Sequence, residues 1–245
     1  TAVNDQPAVN LVRTSVVVSE DAGPQEVALA SLIADASAPV FGDEAGQTGT
    51  YTVGNLTNGG LFSAAPSVDA NGRLTFTAAA DANGTATFDL TVQDNGGTAD
   101  GGIDTSAVSG TVTITVGAVN DRPSFTVGAA QTVLEDAGVQ TVAGFATAIS
   151  AGPTDEAGQA LTFEVVADDP SLFAVQPAID SASGDLTYTP ADDANGSATV
   201  TVTLRDDGGI ADGGVDQSLS QTFTISLTAV NDQPAVNLVR TSVVV

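Results

Sequence analysis

Cysteine, histidine, lysine, methionine and tryptophan are all absent from this chain of 245 residues. Without cysteine there is no disulfide framework, no thiolate metal site and no thiol nucleophile. Without histidine the commonest general base and transition-metal ligand is missing. Basic residues are scarce: Arg13, Arg73, Arg122, Arg205 and Arg240 stand against 30 acids, a net charge of −25. Nucleic-acid binding needs a basic face to neutralise phosphates, so this balance excludes it. The same deficit disfavours an anionic membrane surface. No apolar run approaches ~18 residues, so no membrane insertion is expected. With no Trp and two Tyr, a sugar-stacking cleft is not expected either, and paired carboxylates do not by themselves make a glycosidase. The chain reads as non-enzymatic.

So acidic a chain could be disordered. Against that, 42% of its residues are hydrophobic, and they alternate in strand-like runs. The charge must then be tolerated by a folded protein, and bound cations are an economical way to do so.

What is present is repetition. Thr1 to Val18 (TAVNDQPAVNLVRTSVVV) returns letter for letter as Thr228 to Val245, and a third copy of its signature lies midway as Ala118-Val-Asn-Asp-Arg-Pro123. Asn4 to Asn120 is 116 residues and Asn120 to Asn231 is 111. A period that long is a domain, not a solenoid repeat. The sequence predicts two tandem modules, 1–117 and 118–229, with 230–245 as the link and first strand of a third, cut from a longer periodic chain.

Leu74–Thr77, Ala86–Val92 and Gly110–Val116 alternate with period two, as do Leu186–Thr189, Ala198–Leu204 and Gln221–Leu227. Asn58-Gly-Gly, Asn71-Gly72, Asn83-Gly84, Asn195-Gly196 and Asp207-Gly-Gly separate such runs as turns. About seven short strands per ~110 residues predict an antiparallel sandwich. Leu29–Ala38 and Val142–Ser150 are Ala-rich but short, and read as strand plus loop.

The modules also match each other in their acids. Glu20-Asp-Ala-Gly pairs with Glu135-Asp-Ala-Gly, Asp43-Glu44-Ala-Gly-Gln with Asp155-Glu156-Ala-Gly-Gln, and Asp81-Ala-Asn83-Gly with Asp193-Ala-Asn195-Gly. Asp94 and Asp206 each precede a Gly-Gly. Carboxylates, Asn side chains and carbonyls are the ligands of hard cations such as calcium, and strand ends of a sandwich gather at two poles. The same residues are also common metal-free turn formers. The loops Asp94–Asp104 and Asp206–Asp216 lack both the nonapeptide repeat of a β-roll and the EF-hand pattern, and read as hairpin loops, with a second calcium site as the alternative.

The order of elements resembles the cadherin repeat: a first-strand Glu, Asp-x-x-Gly-Gln, Gly-x-Leu-x-Phe-Thr, Asp-x-Asn, Val-x-Asp and Asn-Asp-x-Pro. In particular it is similar to the cadherin-like, Ig-like repeats found in tandem in bacterial RTX-type surface adhesins. The resemblance spans both modules. It implies an all-β fold of two Greek-key β-sandwiches in an end-to-end array, with calcium at the junctions. For the middle junction it implies ligands from Glu20, Asp81 and Asn83, the link Asn120-Asp121, and Asp155, Glu156 and Asp206. Their equivalents elsewhere are Asn4, Asp5, Asp43, Glu44 and Asp94, and Glu135, Asp193, Asn195, Asn231 and Asp232. Asn83 and Asn195 put a neutral group where the family carries an acid, which implies fewer or weaker ions.

The function implied is that of calcium-rigidified extender modules in a secreted, cell-surface bacterial adhesin. The partners would be neighbouring modules of the same chain, and the chain a monomer. The alternative is a calcium-dependent module binding a glycan or protein. Residues 235–245, a first strand without its own sandwich, are expected to stand free or to dock on an exposed sheet edge.

Overall fold

Alternation sets the core. Along Gly84–Asp94 the buried positions are Ala86, Phe88, Leu90, Val92 and Asp94, every second residue. That is the pattern of a strand with one face on a core. The computed structural model describes residues 3–9, 11–28, 44, 46–69, 73–108 and 110–234. It divides into two units, 1–119 and 120–245. Among the described residues there is no α-helix, and short 3-10 turns punctuate the strands.

The first unit has seven strands among its described residues: β1 (Ser15–Ser19), β2 (Pro24–Ala28), β3 (Gly49–Gly54), β4 (Phe62–Val68), β5 (Arg73–Ala78), β6 (Gly84–Asp94) and β7 (Thr111–Gly117). They form two sheets, β1-β7-β6-β3 and β2-β5-β4. The inward side chains of both, among them Leu74, Phe76, Phe88, Leu90, Val112 and Ile114, share one core. This is a Greek-key sandwich.

The second unit repeats it with β8 (Ser124–Thr126), β9 (Gln131–Leu134), β10 (Gln140–Val142), β11 (Thr147–Ser150), β12 (Thr162–Ala167), β13 (Phe173–Ile179), β14 (Leu186–Pro190), β15 (Gly196–Arg205) and β16 (Gln221–Thr228). Its main sheets are β9-β16-β15-β12 and β10-β14-β13, with β8 paired to β11. Edge-on aromatic pairs, Phe62–Phe76 in one unit and Phe173–Tyr188 in the other, sit at matching places. Val142–Ser150 is strand and turn, as read from sequence. Leu29–Ala38, Asn71-Gly72 and the tail 235–245 lie outside the described residues.

One feature departs from the antiparallel expectation. In each unit the early strand runs parallel to the last: β1 with β7, Ser15 opposite Thr113 through Ser19 opposite Gly117, and β9 with β16. Alternation of side chains carries no strand direction, so the pattern could not show this. The consequence is geometric. Each module receives the chain at one pole and releases it at the other.

Candidate functional site

At the incoming pole an inward-facing acid ends β6 in the first module and directly follows β15 in the second. Asp94 continues the parity of Phe88, Leu90 and Val92 and is 6% exposed. Asp206 continues that of Val200, Val202 and Leu204 and is 8% exposed. A buried carboxylate needs hydrogen-bond partners, and the arriving chain supplies them. Asn4 Nδ2 donates to Asp94 Oδ1 at 3.0 Å and to the Ile103 carbonyl at 3.0 Å, while its Oδ1 accepts from Gln47 Nε2 at 2.7 Å. Asn120 does the same, donating to Asp206 Oδ1 at 2.9 Å and accepting from Gln159 Nε2 at 2.8 Å. The backbone adds Ile103 N–H to the Asn4 carbonyl and Val215 N–H to the Asn120 carbonyl. The residue after each Asn is held too. Asp5 N–H donates to Glu44 Oε2 at 3.2 Å, and Asp121 N–H to Glu156 Oε1 at 2.7 Å.

The Gly-rich loops explain themselves here. A Cβ on Gly96 would lie 1.8 Å from Asn4 Oδ1, and one on Gly102 2.9 Å from Asn4 Cβ. In the second module Gly208 and Gly214 stand 1.7 Å and 3.0 Å from Asn120 in the same sense. The loops link the antiparallel pairs β6–β7 and β15–β16 and wrap the link asparagine so closely that no side chain fits. Asp104, far from being a bare ligand, accepts from Gln93 and Thr105, and those bonds hold its carboxyl below the usual value.

At the incoming poles five oxygens are buried with no hydrogen-bond partner: the carboxylate atoms Asp94 Oδ2, Asp206 Oδ2 and Glu156 Oε2, and the amide atoms Gln47 Oε1 and Gln159 Oε1. Burial raises the Glu156 carboxyl above its ordinary pKa, the Asp121 backbone bond opposes this, and the charges of Asp121, Asp155 and Asp206 raise it further. Carboxylate oxygens that face no donor are of the chemical type a hard cation takes. Among the described residues, no group of three or more acids is drawn together tightly enough to hold a metal ion.

At the outgoing pole a buried glutamate holds the departing chain. Glu20 Oε1 accepts from Val119 N–H at 2.7 Å, and Glu135 Oε1 from Val230 N–H at 2.7 Å. Both glutamates are 3% exposed. Asn195 Nδ2 donates to Glu135 Oε2 at 3.3 Å. The remaining outgoing-pole residues, Asp81 and Asn83 in one module and Asp193, Asn195, Asn231 and Asp232 in the other, are exposed. Asp81 and Asp193 take left-handed backbone at φ 55° and 56°. Asp232 is raised by burial, by the charges of Asp193 and Asp136, by a hydrogen bond to Asp193 and by the charge of Glu135.

The predicted ligands thus gather pole by pole. Asn4, Asp5, Glu44 and Asp94 meet at one incoming pole; Asn120, Asp121, Glu156 and Asp206 meet at the other, with Asp155 exposed on the same 3-10 turn as Glu156. Asp43 lies outside the described residues. Gln47 and Gln159 were not among the sequence candidates, although the repeated Asp-Glu-Ala-Gly-Gln string contained them. The role of the Val119 and Val230 amides has no sequence signal, since any residue but proline offers one.

Residues 4–116 match the family model of the bacterial Ig domain, and residues 154–232 that of the lipoprotein associated domain. No curated protein matches the chain. Among solved structures, human protocadherin-24 EC1-2 is 20% identical over 93% of this chain and 100% of that one, with a TM-score of 0.55. Mouse cadherin-23 EC22-24 is 19% identical over 94% and 68%, with a TM-score of 0.51. The extracellular cadherin domains 3-6 of protocadherin gamma B2 are 20% identical over 92% and 53%, also at 0.51. At such identities the likeness is one of fold. The chain is built of cadherin-like, Ig-like β-sandwich repeats. No helix among the described residues is long and apolar enough to cross a membrane.

Proposed function

We propose that these repeats are calcium-rigidified extender modules of a large bacterial surface adhesin of the RTX type, secreted and non-enzymatic, which hold a distal binding domain away from the cell. The observation that carries this reading is the set of buried, unpartnered carboxylate oxygens of Asp94, Asp206 and Glu156 beside the links. Within the second module, Glu156, Asp206 and the link Asn120-Asp121 would hold the ion; within the first, Glu44, Asp94 and the link Asn4-Asp5 would do the same. Bound calcium supplies positive charge among carboxylates that otherwise repel. The chain's own part is to keep those oxygens in place, through the bonds to Asn120 and to the Asp121 amide. Since such an ion binds the native state, its binding energy becomes folding energy.

The test is a calorimetric calcium titration of the metal-stripped chain, with melting curves in calcium and in chelator. At ~100-fold excess over the dissociation constant the gain should be ~2.7 kcal/mol. Superimposed melting curves sink the proposal. Solution scattering addresses the stiffening: Asp121→Ala should abolish any calcium-dependent change in maximum dimension while each sandwich stays folded.

A further inference from the structure

The asparagine lock has a mechanical consequence that rests on the extender reading, in which the chain is a tether and is pulled by its ends. We propose that the lock is the tension-bearing clamp of each module, carrying force from the arriving link straight into the last strand and sparing the strands that come first.

The path can be traced bond by bond in the second module. Tension arrives at Asn120. Its side chain is tied to Asp206 and Gln159, its carbonyl to Val215 N–H, and two residues on Arg122 Nη1 donates to the Gln217 carbonyl at 2.8 Å. Asp206, Val215 and Gln217 all belong to the loop between β15 and β16. While the lock holds, force enters that loop, runs down β16 and leaves at Val230, whose amide is tied to Glu135. This path does not run along the backbone of β8 or β9, which meet it only at the exit, where Glu135 follows β9. If the lock opens, load passes through β8 to β9, which lies parallel to β16 from Gln131 opposite Ile225 to Leu134 opposite Thr228. The arriving chain draws β9 one way and the departing chain draws β16 the other. All bonds of that pair are then sheared together instead of being peeled singly.

The first module repeats the device. Asn4 is tied to Asp94, Gln47 and Ile103, and Gln6 Nε2 donates to the Thr105 carbonyl in the place of Arg122. The departing Val119 is tied to Glu20. Glycines at 96, 102, 208 and 214 let the loops close on the asparagine from both sides, so the lock is enclosed as well as bonded. Hydrogen bonds to an ionised carboxylate are the strong kind, and forced unfolding is governed by the barrier that such bonds raise.

The absence of cysteine allows handles to be placed at will on the full chain. In one geometry the two chain ends are pulled. In the other, Ala130→Cys and Ser220→Cys, both at exposed sites before β9 and β16, are pulled apart, which peels β9 from β16 with the lock outside the path. All runs are in chelator, so they do not depend on calcium; a silent calcium titration would remove the calcium reading and leave this one standing. Asn120→Ala should shorten the second module's lifetime at fixed force about tenfold or more in the end-to-end geometry, the factor expected from losing one charge-assisted bond. The first module's step and the lifetime in the peeling geometry should not change. Leu186→Ala, in the core of the other sheet, should shorten both geometries alike. If Asn120→Ala does not fold, Gln159→Ala removes one donor from Asn120 and is expected to act in the same direction. An unchanged end-to-end lifetime, or equal shortening in both geometries, overturns the proposal.

Discussion

The two poles of a module carry the same kind of residue in opposite states. At the incoming pole Asp94, Asp206 and Glu156 are buried and bonded to the arriving link. At the outgoing pole Asp81, Asp193 and Asp232 are exposed, and the Asp232 carboxyl is raised by burial first and then by the charges of Asp193 and Asp136. The incoming acids are therefore part of the fold whether or not an ion is present. The exposed outgoing acids make no such bond to the link; Asp232 and Asp193 are hydrogen-bonded to each other. The buried glutamates Glu20 and Glu135 are the exception, since each grips the departing amide.

The comparison breaks most visibly at glycine. Gly208→Ala drives a methyl group into Asn120 Oδ1 and must open the lock, leaving the buried Asp206 carboxylate short of a donor. A loss of ~2–4 kcal/mol in the second module is expected from denaturant unfolding. Gly209→Ala meets open space but sits at φ +85°, so it should cost only ~1 kcal/mol. Equal losses would mean that the enclosure of Asn120 is unimportant.

Next comes the contrast within the outgoing pole. Glu135→Ala leaves the Val230 amide without its acceptor, at ~1–3 kcal/mol. Asp193→Ala removes an exposed turn acid and its bond to Asp232 and should stay within ~0.5 kcal/mol in chelator, apart from the cost of its left-handed backbone. Both should weaken the calcium response. Melting curves of the two variants, with and without calcium, separate structural from ion-binding acids.

The smallest effect is on pH dependence. Glu156 is raised in the folded state, so the native protein holds that proton more tightly than the unfolded chain. Its contribution is fully present below the ordinary carboxylate pKa and is lost as pH rises through the raised folded value. In chelator, melting temperature should fall across that window, and Glu156→Gln should flatten the slope. In calcium the trend should reverse, because the ion needs the ionised group.

The strands were legible because alternation is local: Ala86–Val92 and Ala198–Leu204 announce themselves. The inward phase of Asp94 was legible in the same way, two residues beyond Val92, yet it is easily overlooked because an acid in a core position looks like the start of a loop. What the sequence withheld is long-range. The parallel pairing of β1 with β7 leaves no mark on either strand. Asn120 could be read as a ligand because an amide oxygen suits calcium, but its partners lie 39 and 86 residues away. The Gly-Gly pairs signalled turns correctly. That they make room for one particular side chain could be seen only once the chain was folded around it.

Each lock is closed by residues of a single module: Asn4 by Asp94, Gln47 and its glycines, Asn120 by Asp206, Gln159 and theirs. A module therefore carries within itself the partners of the Asn-Asp that opens it. Recombination between the identical strings at residues 1–18 and 228–245 would insert or delete a module together with its own socket.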